Sequence, residues 1–427
     1  MDSRQDFAEQ LIKDYKKDNY VFGFNCLEHV GTFALQFGRE ALLIISQRKW
    51  ANDLREKVFK ILKESDINIL AISDTSRENS PKEDVFKLAD LIKKTKPNSI
   101  ICVGGGSAID TAKAANVLAV LDPDNCDLEK FFGEGKVSEE LNRRKIDNLY
   151  PLIAVQVSAG SGSHISKYSN ITDMVLNQKK LIIDNAIIPP RAVFDYTTTV
   201  SMPEDLTKDG ALDGFSHCLE VYYGYDENNK NFRLVEDVCL TGISLIVDYL
   251  PELLKNLRDL EKRKMIGLAT DLGGYAIMLH GTNGAHLNSF SFVDVLSHGR
   301  ACAIMNPYYT VFFSNKIENK LKKIALIYKD YLKTDVSSLK GKELGIAVAK
   351  AMTNFAQGIG FPTKLEDVKG FTDKHIERAV SAAKDPQLES KLKNMPVSLT
   401  SSEVEDYIKP VLMAAKTGNF EIIKLKD

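Results

Sequence analysis

Ile100-Ile101-Cys102-Val103-Gly104-Gly105-Gly106-Ser107-Ala108-Ile109-Asp110 is the stretch that decides the fold. Its four leading apolar residues read as a strand buried on both faces. Three glycines follow directly, and Ser107 to Asp110 opens a helix. Without a Cβ, glycine lets backbone N–H groups approach a phosphate closely, and a helix N-terminus adds partial positive charge. Ser107 can cap the helix or bond a phosphate oxygen. A plain strand-to-helix turn would have the same outline. Three consecutive glycines are costly to order, however, which favours a ligand-binding purpose. The spacing is not GxGxxG, so the usual dinucleotide fingerprint does not apply.

The same alternation continues on both sides. Ala41-Leu42-Leu43-Ile44-Ile45, Ile69 to Ile72, Leu152 to Val155 and Ala192 to Phe194 read as strands. Leu54, Val58, Ile61 and Leu62 fall on one helical face, and Val85 to Ile92 marks another helix. Apolar strands alternating with helices predict a parallel, Rossmann-like sheet covered on both sides. The polar segment Asp122 to Asn148 reads as a surface excursion. A second loop of small residues, Ser158-Ala159-Gly160-Ser161-Gly162-Ser163, follows the strand that ends near Val157. Hydroxyls and glycines at a strand's carboxyl end are where such sheets meet ligands.

Beyond Asp195 the strand-like runs become scarce and a 3.6-residue period dominates. Met202-Pro203-Glu204-Asp205 reads as a helix start, with Pro in the first turn and acids at the positive dipole end. The boundary falls near 196–203. The expected division is an α/β nucleotide-binding domain over 1–198 and an all-α metal-binding domain over 199–427.

Composition sets limits on function. The 427 residues carry a formal net charge of -2, with 27% charged and 44% apolar residues. That balance is ordinary for a globular protein and lacks the basic footprint of a nucleic-acid binder. No apolar run approaches the roughly 20 residues needed to span a bilayer. The charged N-terminus lacks a signal peptide's apolar segment, so a cytoplasmic location is expected. Six cysteines, at 26, 102, 126, 218, 239 and 302, form no CxxC pair. They read as reduced, mostly buried thiols, and cysteine-ligated zinc is disfavoured.

Of seven histidines, those at 280, 286 and 298 cluster within a short stretch. Upstream, Asp213 and His217 stand at i and i+4, projecting from one helical face. A divalent metal can take both, with His286 and His298 as the obvious further ligands. Mixed carboxylate and imidazole donors suit Fe²⁺ or Zn²⁺ better than Mg²⁺ or Ca²⁺. Spacing does not choose between iron and zinc. A surface Asp–His hydrogen bond and core histidines would give the same local pattern.

With GGGSAIDTAK at 104–113, SAGSGS at 158–163, DGFSHCLEVY at 213–222, AHLNSF at 285–290 and SHGRACAIMNP at 297–307, the chain resembles the iron-containing (group III) alcohol dehydrogenase family over nearly its whole length. The resemblance implies a nucleotide-binding domain, a helical domain and a cleft between them. It also implies nicotinamide-dependent interconversion of an alcohol and an aldehyde with one divalent metal. Its four ligands carry over to Asp213, His217, His286 and His298, with no catalytic side chain beyond them. The second histidine usual in the family's HGxxH is replaced by Phe290, which implies a more apolar substrate pocket. His280 then sits earlier on the same helix as His286, in a structural role. For the nucleotide, Gly105, Gly106, Ser107 and Asp110 match the pyrophosphate loop, and Ser158 and Ser161 stand where Thr is common. Ser80 and Lys180 match further contacts, and His164 replaces a common Glu. Gln47, in Ser46-Gln47-Arg48-Lys49, stands where NAD-preferring members carry Asp. With no carboxylate in that stretch and two cations beside it, NADP(H) is expected over NAD(H). Partners are then a small alcohol or aldehyde and a second copy of the chain in a homodimer, with no nucleic acid and no membrane. Rival expectations are a glycerol dehydrogenase, maleylacetate reductase or dehydroquinate synthase-like reaction on the same fold, and a non-catalytic nucleotide-binding sensor.

Overall fold

Residues 3–426 are described by a computed structural model. The chain forms two compact units, one of residues 12–202 and one of residues 3–11 with 203–426. Helix α1 (Ser3–Lys16) opens the chain. The α/β unit then runs β1 (Tyr20–Gly23), α2 (His29–Leu35), β2 (Glu40–Ile45), α3 (Asn52–Glu64), β3 (Asn68–Ser73), α4 (Lys82–Thr95), β4 (Ser99–Gly104) and α5 (Gly106–Leu121). It continues with β5 (Gly133–Glu134), α6 (Lys136–Arg144), β6 (Leu152–Gln156), β7 (Tyr168–Asp173), β8 (Gln178–Ile183) and β9 (Arg191–Asp195).

Six strands form one sheet in the order β1-β9-β6-β4-β2-β3, with every pair parallel. The expected α/β class is therefore correct, and the period of two explains the core. Leu42, Ile44, Ile100, Cys102, Leu152 and Ala154 face α4 and α5. Their neighbours Leu43, Ile45, Ile101, Val103, Ile153 and Val155 face α2 and α3. Both faces are dry, which is why these strands are apolar throughout.

Two readings need correction, and one sheet left no trace in them. The 122–148 segment is no mere surface excursion: Leu128, Phe131, Phe132, Val137 and Leu141 all enter the core beside α5. Strands β7 and β8 pair antiparallel and, with β5, make a second small sheet that polar residues such as Gln178 and Lys179 disguise in the sequence. Pro203 precedes α7 rather than lying in its first turn, although Glu204 and Asp205 do occupy that turn.

The second unit continues with α7 (Glu204–Gly224), α8 (Phe232–Lys255), α9 (Leu260–Leu279), α10 (Gly284–Ser289), α11 (His298–Phe313), α12 (Glu318–Ile327), α13 (Gly341–Gly358), α14 (Asp373–Ala382), α15 (Glu389–Lys393) and α16 (Val404–Thr417). No strand occurs among its described residues, as expected. Helix α7 is walled by α8, α9 and α11 and is buried on almost every side from Ala211 to Tyr223. Its polar residues there are shut away from water: Ser216 and Glu220 find hydrogen bonds inside the protein, whereas His217 Nδ1 makes none.

Candidate metal centre and nucleotide loops

Asp213 and His217 project from the buried middle of α7, His286 from α10, and His298 is the first residue of α11. The Nε2 atoms of His217, His286 and His298 lie 3.9, 3.8 and 3.9 Å from a single atom, Asp213 Oδ1. Donors on a tetrahedral ion with bonds of about 2.1 Å stand about 3.4 Å apart, so a contraction of about half an ångström would accommodate one. His286 Nε2 is buried and makes no hydrogen bond. The four-residue set thus fits a borderline-soft divalent cation. Burial, reinforced by His286 and Lys391, pulls the His217 pKa well below its ordinary value. Its ring is therefore neutral, as a ligand must be.

Two neighbours fix which nitrogen each ring presents. Glu220, 1% exposed, accepts a hydrogen bond from His286 Nδ1 at 2.5 Å. Its other oxygen accepts from the backbone N–H of Asn283 at 2.8 Å. Ser289 donates its hydroxyl proton to the His286 carbonyl at 2.7 Å, so it accepts from His298 Nδ1 at 3.1 Å. Both rings are left with an unprotonated Nε2 toward Asp213, the usual carboxylate–histidine–metal logic. Glu220→Gln should weaken Zn²⁺ binding about 10- to 100-fold, since such supports are worth that much elsewhere. Competition with a chromogenic chelator measures it, and unchanged affinity would remove Glu220 from this role.

Gly299 lets α11 come this close to α7. A Cβ there would stand 2.2 Å from the Asp209 carbonyl oxygen and 2.8 Å from Asp213 Cβ. Arg300, next in sequence, ties the two helices by bonds to Asp209 at 2.8 Å and Asp205 at 2.9 Å.

The sequence reading missed several members of this neighbourhood. Glu220 lies three residues after His217, on the same face, and was readable. Cys302, four residues after His298, joins Asp213, His286 and His298 in a group whose donor atoms all lie within 4.8 Å of one another. Lys391 of α15 is buried, bonds Thr282 Oγ1 and lies 5.8 Å from the centre of the Phe290 ring. Burial pulls its pKa down to about 8, against the opposing charges of Glu220 and Cys302. Phe290 stacks on His298 with ring centres 5.7 Å apart.

His280 does not share a helix with His286. It ends α9, and Asn283 starts α10 by capping the Gly284 N–H. Its ring packs edge-on to Tyr225.

In the α/β unit the two small-residue loops meet. A Cβ on Gly105 would lie 2.7 Å from Ser158 Oγ, and one on Gly106 would lie 2.4 Å from Ser161 Oγ. Gly105 caps α5 and leaves the helix's first N–H groups at the carboxyl ends of β4 and β6. Ser80 is buried and donates to the Ser107 carbonyl at 3.0 Å. Gln47 lies just past β2, whose flanks carry β3 and β4, where the strand order reverses. That switch point is where open α/β sheets take their ligands. Asp110 is spent differently: its carboxylate accepts from Ser163 and from the Asn170 backbone N–H at 3.0 Å. Lys180 pairs with Glu129 at 2.6 Å. Lys113, the last residue of the motif, is buried and donates to the carbonyls of Ser163, Ser166 and Tyr168 at 2.6, 2.8 and 2.8 Å, pinning the second loop. His164 is a core residue, its Nε2 3.0 Å from the Tyr20 hydroxyl.

A glycine-looped parallel sheet and a helical unit with converging carboxylate and imidazoles define a metal-dependent oxidoreductase class. The chain belongs to the iron-containing alcohol dehydrogenase family. The profile of that name matches residues 17–196, and that of the family's C-terminal region matches 207–412. The NAD-dependent methanol dehydrogenase of Bacillus methanolicus is 25% identical over 362 residues, 84% of this chain and 89% of that protein. The NADPH-dependent butanol dehydrogenase of Clostridium saccharobutylicum is 27% identical over 293 residues, 67% of this chain and 71% of that protein. The fold matches the solved alcohol dehydrogenase from Oenococcus oeni with a TM-score of 0.78 at 24% identity, over 93% of this chain and 98% of that one.

Proposed function

We propose that the chain interconverts a small primary or secondary alcohol and its aldehyde or ketone, using a nicotinamide dinucleotide and one divalent ion, Fe²⁺ or Zn²⁺, held by Asp213, His217, His286 and His298. The observation that carries this is the convergence of three imidazole Nε2 atoms on Asp213 Oδ1, with His286 Nε2 buried and without a hydrogen bond. When bound, the ion supplies Lewis-acid polarisation of the substrate oxygen and the nicotinamide carries the hydride. The chain's residues do the rest. Glu220 and Ser289 hold two rings in one tautomer and orientation. Phe290, flat on His298, gives the site an apolar wall and no proton-accepting group. Gly105, Gly106 and Ser107 offer α5's free N–H groups to a pyrophosphate, with Ser158 and Ser161 beside them. The test is metal analysis of the purified protein and an aldehyde panel after Fe²⁺ or Zn²⁺ reconstitution. Bound metal without turnover of any member would overturn the proposal in favour of a binding protein.

NADP(H) is the proposed dinucleotide. Gln47 is followed by Arg48 and Lys49, and the nearby Asp74 carboxylate has its Oδ1 occupied by the backbone N–H groups of Gln47 and Thr75 at 3.0 and 2.8 Å. NADPH should therefore show the lower KM. A tenfold or greater preference for NADH refutes this. The same proposal takes the chain as cytoplasmic and as a homodimer, the latter to be read from its light-scattering mass. No helix among the described residues is long and apolar enough to cross a membrane.

A further inference from the structure

We infer that Cys302 is a sulfur ligand of the metal centre beside Asp213, His286 and His298; this rests on the proposal that the Asp213 cluster holds an ion. Cys302 follows His298 by one helical turn of α11, so both side chains leave the same face. The residue is fully buried. Its Sγ and the donor atoms of Asp213, His286 and His298 all lie within 4.8 Å of one another. The shift needed to bring such atoms onto one ion is about an ångström, within the reach of a side-chain torsion. The thiolate is the form that binds metals. Coordination replaces the S–H bond by a metal–sulfur bond and releases the proton to water.

The chemistry that follows is selectivity. A site of oxygen and nitrogen donors alone takes Fe²⁺ and Zn²⁺ with little distinction, whereas a thiolate adds preference for softer ions such as Zn²⁺. The sulfur also exposes the centre to oxidants, because a sulfenic acid no longer ligates as a thiolate does.

Titration of the metal-free protein with Co²⁺ tests the assignment. The wild type should develop a near-ultraviolet sulfur-to-cobalt charge-transfer band at one equivalent. Cys302→Ser should still bind one Co²⁺ without that band, and its Zn²⁺ affinity should fall at least about tenfold. Wild-type binding of one Co²⁺ without the band, or persistence of the band in Cys302→Ser, overturns the assignment. X-ray absorption on the zinc-loaded wild type needs no variant: one sulfur at about 2.3 Å is expected, and nitrogen and oxygen scatterers alone would overturn it. Turnover with no sulfur signal would remove Cys302 and leave the proposed function. A sulfur signal with no turnover of any alcohol or aldehyde would do the reverse.

Discussion

His298→Ala should leave the protein folded but without bound metal after Fe²⁺ or Zn²⁺ reconstitution, and its turnover should fall by at least about a thousandfold. A fall of that size corresponds to roughly 4 kcal/mol of lost barrier reduction, within the several kcal/mol a Lewis acid supplies. His298 is chosen because it sits at a helix end rather than in the buried middle of one. It is the first residue of α11 and is partly exposed, its Nδ1 bonds the Ser289 hydroxyl, and its ring stacks on Phe290. Far-ultraviolet circular dichroism should be unchanged, while elemental analysis should show the loss. Turnover surviving in a metal-free His298→Ala protein would refute the scheme.

Gly299→Ala, one residue on, should act through the backbone. In a helix interior Ala is ordinarily the better residue by about 1 kcal/mol. Here its methyl group would stand 2.2 Å from the Asp209 carbonyl oxygen, and that oxygen belongs to α7's own backbone. The helices must move apart, at a cost of about 2–3 kcal/mol for an overpacked contact. Asp213, only 2.8 Å from the same methyl, moves with α7 away from His298. The variant should therefore lose stability in denaturant titration and bind Zn²⁺ at least about a hundredfold more weakly. A denaturation midpoint and an affinity both equal to the wild type would show that the close approach is not needed.

How much of this was legible in the sequence follows from what each residue must face. Strands β2, β4, β6 and β9 are dry on both sides, so they are written as unbroken apolar runs and were located within a residue or two. Strands β1, β7 and β8 lie at an edge or in a separate small sheet, where one face tolerates polar residues, and they left no such run. The Asp213–His217 pair announced itself by helical spacing, and motif order pointed to His286 and His298. Cys302 has the same i, i+4 relation to His298, but a single cysteine without a CxxC partner carries no ligand signature of its own. Lys391 had no local signal at all. Only tertiary folding brings α15 to Thr282 and Phe290. Asp110 and Lys113 show the opposite limit. A motif reveals that residues belong together, but not that one carboxylate and one ammonium in it hold neighbouring loop segments rather than a ligand.

Every proposed donor, from Asp213 on α7 to His298 on α11, belongs to the same compact unit, and none comes from residues 12–202. An ion bound there acts as a chelate staple that ties α7 to the later helices α10 and α11. By mass action it stabilises whatever state offers all the donors at once, adding about 2.7 kcal/mol when free ion stands a hundredfold above its dissociation constant. A chelator in the buffer would then loosen the helical half of the molecule first, and storage conditions become part of the protein's measured heat resistance.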